Sequence, residues 1–149
     1  MIQMRILFIN GPNLNLLGER EPSVYGTTSL QQINDRVRDR AREAGVEVVF
    51  YQSNHEGEIV ERIQKARGQF DALVINPAAF THTSVAIRDA LIAVGIPTVE
   101  VHLSNPAGRE TFRQKSLVSD VVVGTISGLG EHSYYLGLQA AMEFGKKKE

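Results

Sequence analysis

Arg20 stands five positions before Tyr25, in a polar stretch that opens at Gly18 and closes at Gly26. A tyrosine hydroxyl titrates near ~10, so it serves as a base at neutral pH only where a cation stabilises the phenolate. Arg20 is spaced to be that cation, and the flanking glycines suit hinges that swing the pair over a substrate. An ordinary surface loop, its tyrosine packed and its arginine solvated, is the plain alternative. A second pair lies far downstream. Glu100 and His102 are two apart in a β-rich run, so both side chains leave one face of a strand. A carboxylate beside an imidazole fixes its tautomer and favours its charged form, which suits a proton donor, while on spacing alone a structural His–Glu pair is the plainer reading. A base and an acid of this kind are what general acid–base catalysis requires.

Strands and helices must alternate to hold such groups. Runs dense in Val, Ile and Leu predict strands at 5–10, 46–52, 72–76, 98–103 and 120–124. Near-continuous apolar runs suit parallel strands covered on both faces. Leu30, Ile33, Val37, Ala41 and Ala44 step by three or four along one helical face. Ser29 with Gln32 reads as a capping box and Gly45 as the stop. Ser53 with Glu56 is expected to open the next helix, faced by Ile59, Ile63 and Ala66 and closed by Gly68. Ser84 opens a third, with Ile87, Ala90 and Leu91, ended by Gly95 and Pro97. A last helix is expected over 131–144. Five strands with helical crossovers imply a flavodoxin-like, doubly wound parallel sheet in three α/β/α layers. The length, 149 residues, fits a single domain. Asn10, Asn13, Gln52, Asn54, Asn76, His102, Leu103 and Ser104 then fall at strand carboxyl ends. Open α/β sheets bind small polar ligands there.

Composition removes several other readings. A hydrophobic share of 42% with 22% charge is ordinary for a soluble globular protein. The absence of cysteine excludes disulfides and thiolate metal sites. A net charge of −1 gives no general attraction to nucleic acid or an anionic membrane. No stretch approaches the ~20 apolar residues of a membrane span, and the start lacks a basic segment and a cleavage site. A cytoplasmic protein is the expectation. The four histidines, His55, His82, His102 and His132, stand in separate blocks without metal-ligand spacing. Residues 124–130 lack the dinucleotide spacing of glycines. The loop after the first strand is not rich in Ser, Thr and Gly, against a flavin. Asn10 and Asn76 stand where a receiver domain needs acids. Neither metal nor cofactor is expected. The lysines Lys65, Lys115, Lys146, Lys147 and Lys148 sit in polar surroundings, so imine chemistry through a desolvated lysine is not expected either.

The string Gly11-Pro12-Asn13-Leu14-Asn15-Leu16-Leu17-Gly18, running on to Tyr25-Gly26, resembles the signature of type II 3-dehydroquinate dehydratases. Matching blocks follow at Gln52-Ser53-Asn54-His55-Glu56-Gly57, Ile75-Asn76-Pro77-Ala78-Ala79-Phe80-Thr81-His82, Glu100-Val101-His102-Leu103-Ser104-Asn105, Phe112-Arg113 and Gly128-Leu129-Gly130. The likeness runs from about Met4 to Phe144. It implies a hydro-lyase that eliminates water in the anti sense from 3-dehydroquinate, through an enolate, to give 3-dehydroshikimate. Such a step serves the shikimate pathway or quinate breakdown.

The resemblance also implies roles. Tyr25, beside Arg20, would be the base; Asn13 would help hold the enolate through water; and His102, paired with Glu100, would be the general acid. Asn76, Leu103 and Ser104 would hold the substrate carboxylate and neighbouring groups, and His82, Asp89 and Arg113 its ring hydroxyls. It further implies trimers arranged as a dodecamer, with Asp89 reaching a neighbour's site. Two departures bear on local geometry and subunit contacts rather than on the reaction. Pro106-Ala107-Gly108 replaces a hydrophobic-His-Ala run, and Ser133 stands where glycine is common. A non-catalytic ligand binder of the same fold is the alternative; intact Arg20, Tyr25 and His102 speak against it.

Overall fold

Four of the apolar runs become strands, β1 (Arg5–Asn10), β2 (Glu47–Gln52), β3 (Ala72–Asn76) and β4 (Thr98–His102), and a fifth strand, β5 (Gly124–Ser127), follows the last run. All pairings are parallel, in the order β2-β1-β3-β4-β5 of flavodoxin-like doubly wound sheets. This computed structural model describes residues 3–19, 21–25 and 27–146, with backbone alone at 22 and 25. The helices are α1 (Pro22–Tyr25), α2 (Leu30–Glu43), α3 (Glu56–Lys65), α4 (Val85–Val94) and α5 (His132–Phe144).

Strand alternation sorts the core into two layers. Ile6, Phe8, Val74, Val99 and Val101 pack against α2 and α5, while Leu7, Ile9, Leu73 and Ile75 pack against α3 and α4. Covered on both faces, β3 and β4 are buried at every position. The helix ends follow from their caps. Ser29 Oγ accepts from the Gln32 N–H at 3.1 Å, and Gln32 Oε1 accepts from the Ser29 N–H at 2.9 Å. Ser84 Oγ accepts from the Ile87 N–H at 2.9 Å, and Gly95 ends α4 at φ 65°.

Two expectations from the sequence are corrected. Ser53 does not cap α3. Its hydroxyl accepts from the His55 N–H at 2.9 Å and donates to Glu58 at 2.8 Å, so the helix starts after His55 without a side-chain cap. The carboxylates Glu56 and Glu58 in its first turn face the positive end of the helix dipole instead. The last strand is Gly124–Ser127 and not 120–124. The apolar residues before it form a turn, Val121 N–H to Val118 O, with Val118 in the core. Arg88 of α4 ties that segment down by donating to Leu117 O and pairing with Asp120.

Candidate active site

Asn10 and Asn76 are register partners at the ends of β1 and β3. The chains leaving them stay in contact, for Gly11 N–H donates to Asn76 O at 2.8 Å. A Cβ on Gly11 would lie 2.3 Å from Pro77 O, so only glycine fits. The chain then turns at Asn13 in the left-handed region, φ 69°, which asparagine tolerates. The Asn13 N–H donates to Asn54 Oδ1 at 2.9 Å, and Gln52 Nε2 reaches both Asn54 Oδ1 and Gly11 O at 3.1 Å. Gln52 and Asn54 therefore brace the Asn13 loop; they do not line the cleft.

On β4, His102 and Glu100 share a face as their spacing requires. Nε2 of His102 donates to Glu100 Oε2 at 2.5 Å. The fully buried carboxylate also accepts from Ser119 Oγ at 2.6 Å and Ser116 Oγ at 3.1 Å. Burial alone would push Glu100 up, but the hydrogen bonds from His102, Ser119 and Ser116 outweigh it and hold the acid below its ordinary value. An ionised Glu100 fixes the tautomer, with the hydrogen on Nε2. Nδ1 is left for the cleft that His102 lines. For Nδ1 to donate a proton the ring must be the imidazolium, whose charge Glu100 balances.

The cleft holds about 640 Å³, including its open mouth, and its wall takes in Asn13, Asn76, His82, His102, Leu103, Ser104 and Arg113. His82 Nδ1 donates to Lys115 O at 2.7 Å, so in the neutral ring Nε2 is an acceptor, suited to a hydroxyl group. Arg113 Nε donates to Glu110 at 2.6 Å. Arg109 joins the wall and donates to Ser104 Oγ at 3.3 Å. Guanidinium groups beside a hydroxyl and an amide make a site for a polar anion.

Asp89 is not part of this wall; it is exposed on α4. Arg20 and the Tyr25 side chain lie outside the described residues. Gly18 has φ +92°, and a Cβ there would meet Thr27 O at 2.9 Å. The two ends of the Arg20–Tyr25 loop thus close on each other as a narrow neck. Among the described residues no group of His, Cys, Asp and Glu could hold a metal ion. No described helix is long and apolar enough to cross a membrane.

A family described as dehydroquinase class II matches this sequence over residues 4–142. The chain belongs to that family. The chain is 60% identical over 139 residues to a 3-dehydroquinate dehydratase of Pseudomonas savastanoi pv. phaseolicola, covering 93% of each chain. It is 54% identical over 143 residues to a protein of Neosartorya fischeri named catabolic 3-dehydroquinase 2, covering 96% of this chain and 93% of that one. The crystal structure of a type II dehydroquinase from Butyrivibrio crossotus superposes with a TM-score of 0.92 at 44% identity, over 94% of this chain and 98% of that one.

Within this dehydroquinase fold, several contributors were not singled out by sequence reasoning. Arg109 lies five residues after Ser104, just beyond the run read as a departure. Ser116 and Ser119 reach Glu100 from an irregular segment with no periodicity to mark them. Tyr134 was counted only as part of the last helix. The departing run forms a short turn, Pro106–Gly108, where Asn105 Oδ1 accepts from the Ala107 N–H at 3.2 Å. Pro106 stands in the cleft wall, so this departure shapes the site itself. Ser133 is buried and accepts from the Leu129 N–H at 3.3 Å, a bond glycine could not supply.

Proposed function

We propose that this cleft dehydrates 3-dehydroquinate to 3-dehydroshikimate by anti elimination of water, through an enolate and without a cofactor. The observation that carries the reading is the Glu100–His102 pair, a buried charged carboxylate holding an imidazole that opens onto a cleft of amide, hydroxyl and guanidinium groups. Tyr25, as a phenolate beside Arg20, takes the proton next to the ketone. The electron pair moves into the enolate, which Asn13 helps hold through water. His102 protonates the departing hydroxyl, so water leaves as the ring double bond forms. Asn76, Leu103 and Ser104 bind the carboxylate and neighbouring groups, and His82, Arg113 and a neighbour's Asp89 bind the ring hydroxyls. A single domain, a cytoplasmic location and a dodecamer built from trimers belong to the same proposal, on the family likeness.

The test is Tyr25→Phe, which keeps the ring and removes the base. Turnover should fall by at least ~100-fold, the lower range for a positioned proton-transfer group. Arg20→Ala should also lose activity, since the phenolate loses its cation. A Tyr25→Phe enzyme near the wild-type rate would overturn the assignment of the base.

A further inference from the structure

Tyr134, in the first turn of α5, is fully buried with its ring stacked on Phe8 at 6.2 Å between centroids. Its hydroxyl sits between two strand-end asparagines. It donates to Asn10 Oδ1 at 2.5 Å and accepts from Asn76 Nδ2 at 3.0 Å. Burial pushes the phenol above its ordinary value, against the Asn76 hydrogen bond, so the hydroxyl keeps its proton. That one proton goes to Asn10, which leaves only lone pairs toward Asn76.

The Asn76 amide is therefore held from both ends. Oδ1 accepts from the Ala78 N–H at 3.1 Å, and Nδ2 spends one hydrogen on Tyr134. Ala78 sits at φ 53°, a left-handed turn that this bond to Oδ1 supports. One Nδ2 hydrogen remains, and Asn76 lines the cleft together with His102 and Ser104. Asn10 gives its oxygen to Tyr134 while its own Nδ2 has no partner among the described residues. The network is thus built around the tyrosine hydroxyl rather than around a mutually satisfied pair of amides.

We infer that Tyr134 is a positioning residue for substrate binding, its hydroxyl locking Asn76 so that the cleft meets an N–H donor matched to an anionic or hydroxyl oxygen. The inference rests on the substrate-binding role proposed above for Asn76. Without the hydroxyl the amide can turn, and the cleft loses a fixed donor without losing the acid–base groups.

Tyr134→Phe keeps the stacked ring and removes only that hydroxyl. Its steady-state constants for 3-dehydroquinate are compared with those of wild type, Asn76→Ala and the double variant. KM should rise by about 10-fold, as for loss of one well-placed hydrogen bond, with kcat within about 3-fold. The double variant should be no worse than Asn76→Ala alone, because both act through one amide. A wild-type KM in Tyr134→Phe, a fall confined to kcat, or effects that multiply in the double variant would overturn the inference. If Asn76→Ala itself leaves KM unchanged, the role of Asn76 falls as well, which separates the two failures. Should Tyr134→Phe not fold, Asn10→Ala carries the test. It frees the tyrosine proton to turn toward Asn76, and KM should again rise, without adding to Asn76→Ala. An unchanged KM there overturns the inference equally.

Discussion

Nε2 of His102 and Oε2 of Glu100 face each other across 2.5 Å on one face of β4. With Ser119, Ser116 and, at 3.5 Å, Thr125, the described residues give the carboxylate four side-chain donors on a fully buried charge, which is how such a charge is tolerated. Glu100→Gln keeps the shape but replaces the charge with a dipole whose amide nitrogen can turn toward His102. Its kcat should fall by at least ~10-fold, a part of what a positioned proton-transfer group supplies. Steady-state rates at neutral pH check this, and an unchanged kcat would contradict it.

The same carboxylate has a stability signature. Burial pushes Glu100 up, and the bonds from His102, Ser119 and Ser116 bring it below its ordinary value. An acid depressed by folding binds protons more weakly in the folded protein than in the unfolded chain. Its stability is fully present above about pH 4.3, the unfolded glutamate value, and is lost as pH falls through the folded value. Urea midpoints taken between about pH 6 and about pH 3 should drop more in wild type than in Glu100→Gln. Glu110, Asp120 and Glu131 are also held low by arginine or tyrosine partners, but they are common to both proteins and cancel. Equal drops would contradict the assignment of charge to Glu100.

Gly11 is the point where the loops after β1 and β3 touch. Gly11→Ala puts a methyl 2.3 Å from Pro77 O and 2.6 Å from Pro77 C, backbone atoms that cannot swing aside. It should cost about 1–3 kcal/mol, the range for overpacking, and lower the melting temperature. Turnover should fall with it, since Asn13 and Asn76 flank the contact. Thermal unfolding beside an activity assay reads both; an Ala variant as stable and active as wild type would contradict the close approach.

Much of this was legible in the chain. Apolar runs and helical spacing gave the layers, because each element carries its own periodicity. The capping box at Ser29 and the stop at Gly95 are local and were read directly. Ser53 was misread because a hydroxyl three residues before an acid is ambiguous, and Glu58 competes for it. The last strand was misplaced because Val121 and Val122 pack against the α3–α4 side of the sheet as a turn, and a short apolar run does not say which. Glu100 and His102 were legible through their spacing. Ser119, Arg109 and Tyr134 were not, since contacts across 19, 5 and 58 residues leave no local pattern.

Asp89 lies on α4 between Val85 and Ile92, which are 57% and 55% exposed. An acid in an exposed apolar stripe, outside its own cleft, gains a role when a second copy of the chain covers it. Light scattering should give a multiple of three protomers. Asp89→Ala should lower kcat/KM by about 10-fold, as for a lost hydrogen bond to substrate. A fully active monomer at micromolar concentration would contradict the shared site.

The central claim is that side chains alone remove water from 3-dehydroquinate in this cleft. Among the described residues no lysine lines it, so borohydride added with substrate should not trap the enzyme. The direct measurement is ultraviolet absorbance after chelator-treated protein is mixed with 3-dehydroquinate. The absorbance of a conjugated enone should grow with turnover and reach the same end point at every enzyme concentration. Folded protein that produces no enone would contradict the dehydratase assignment and leave a ligand-binding protein of the same fold.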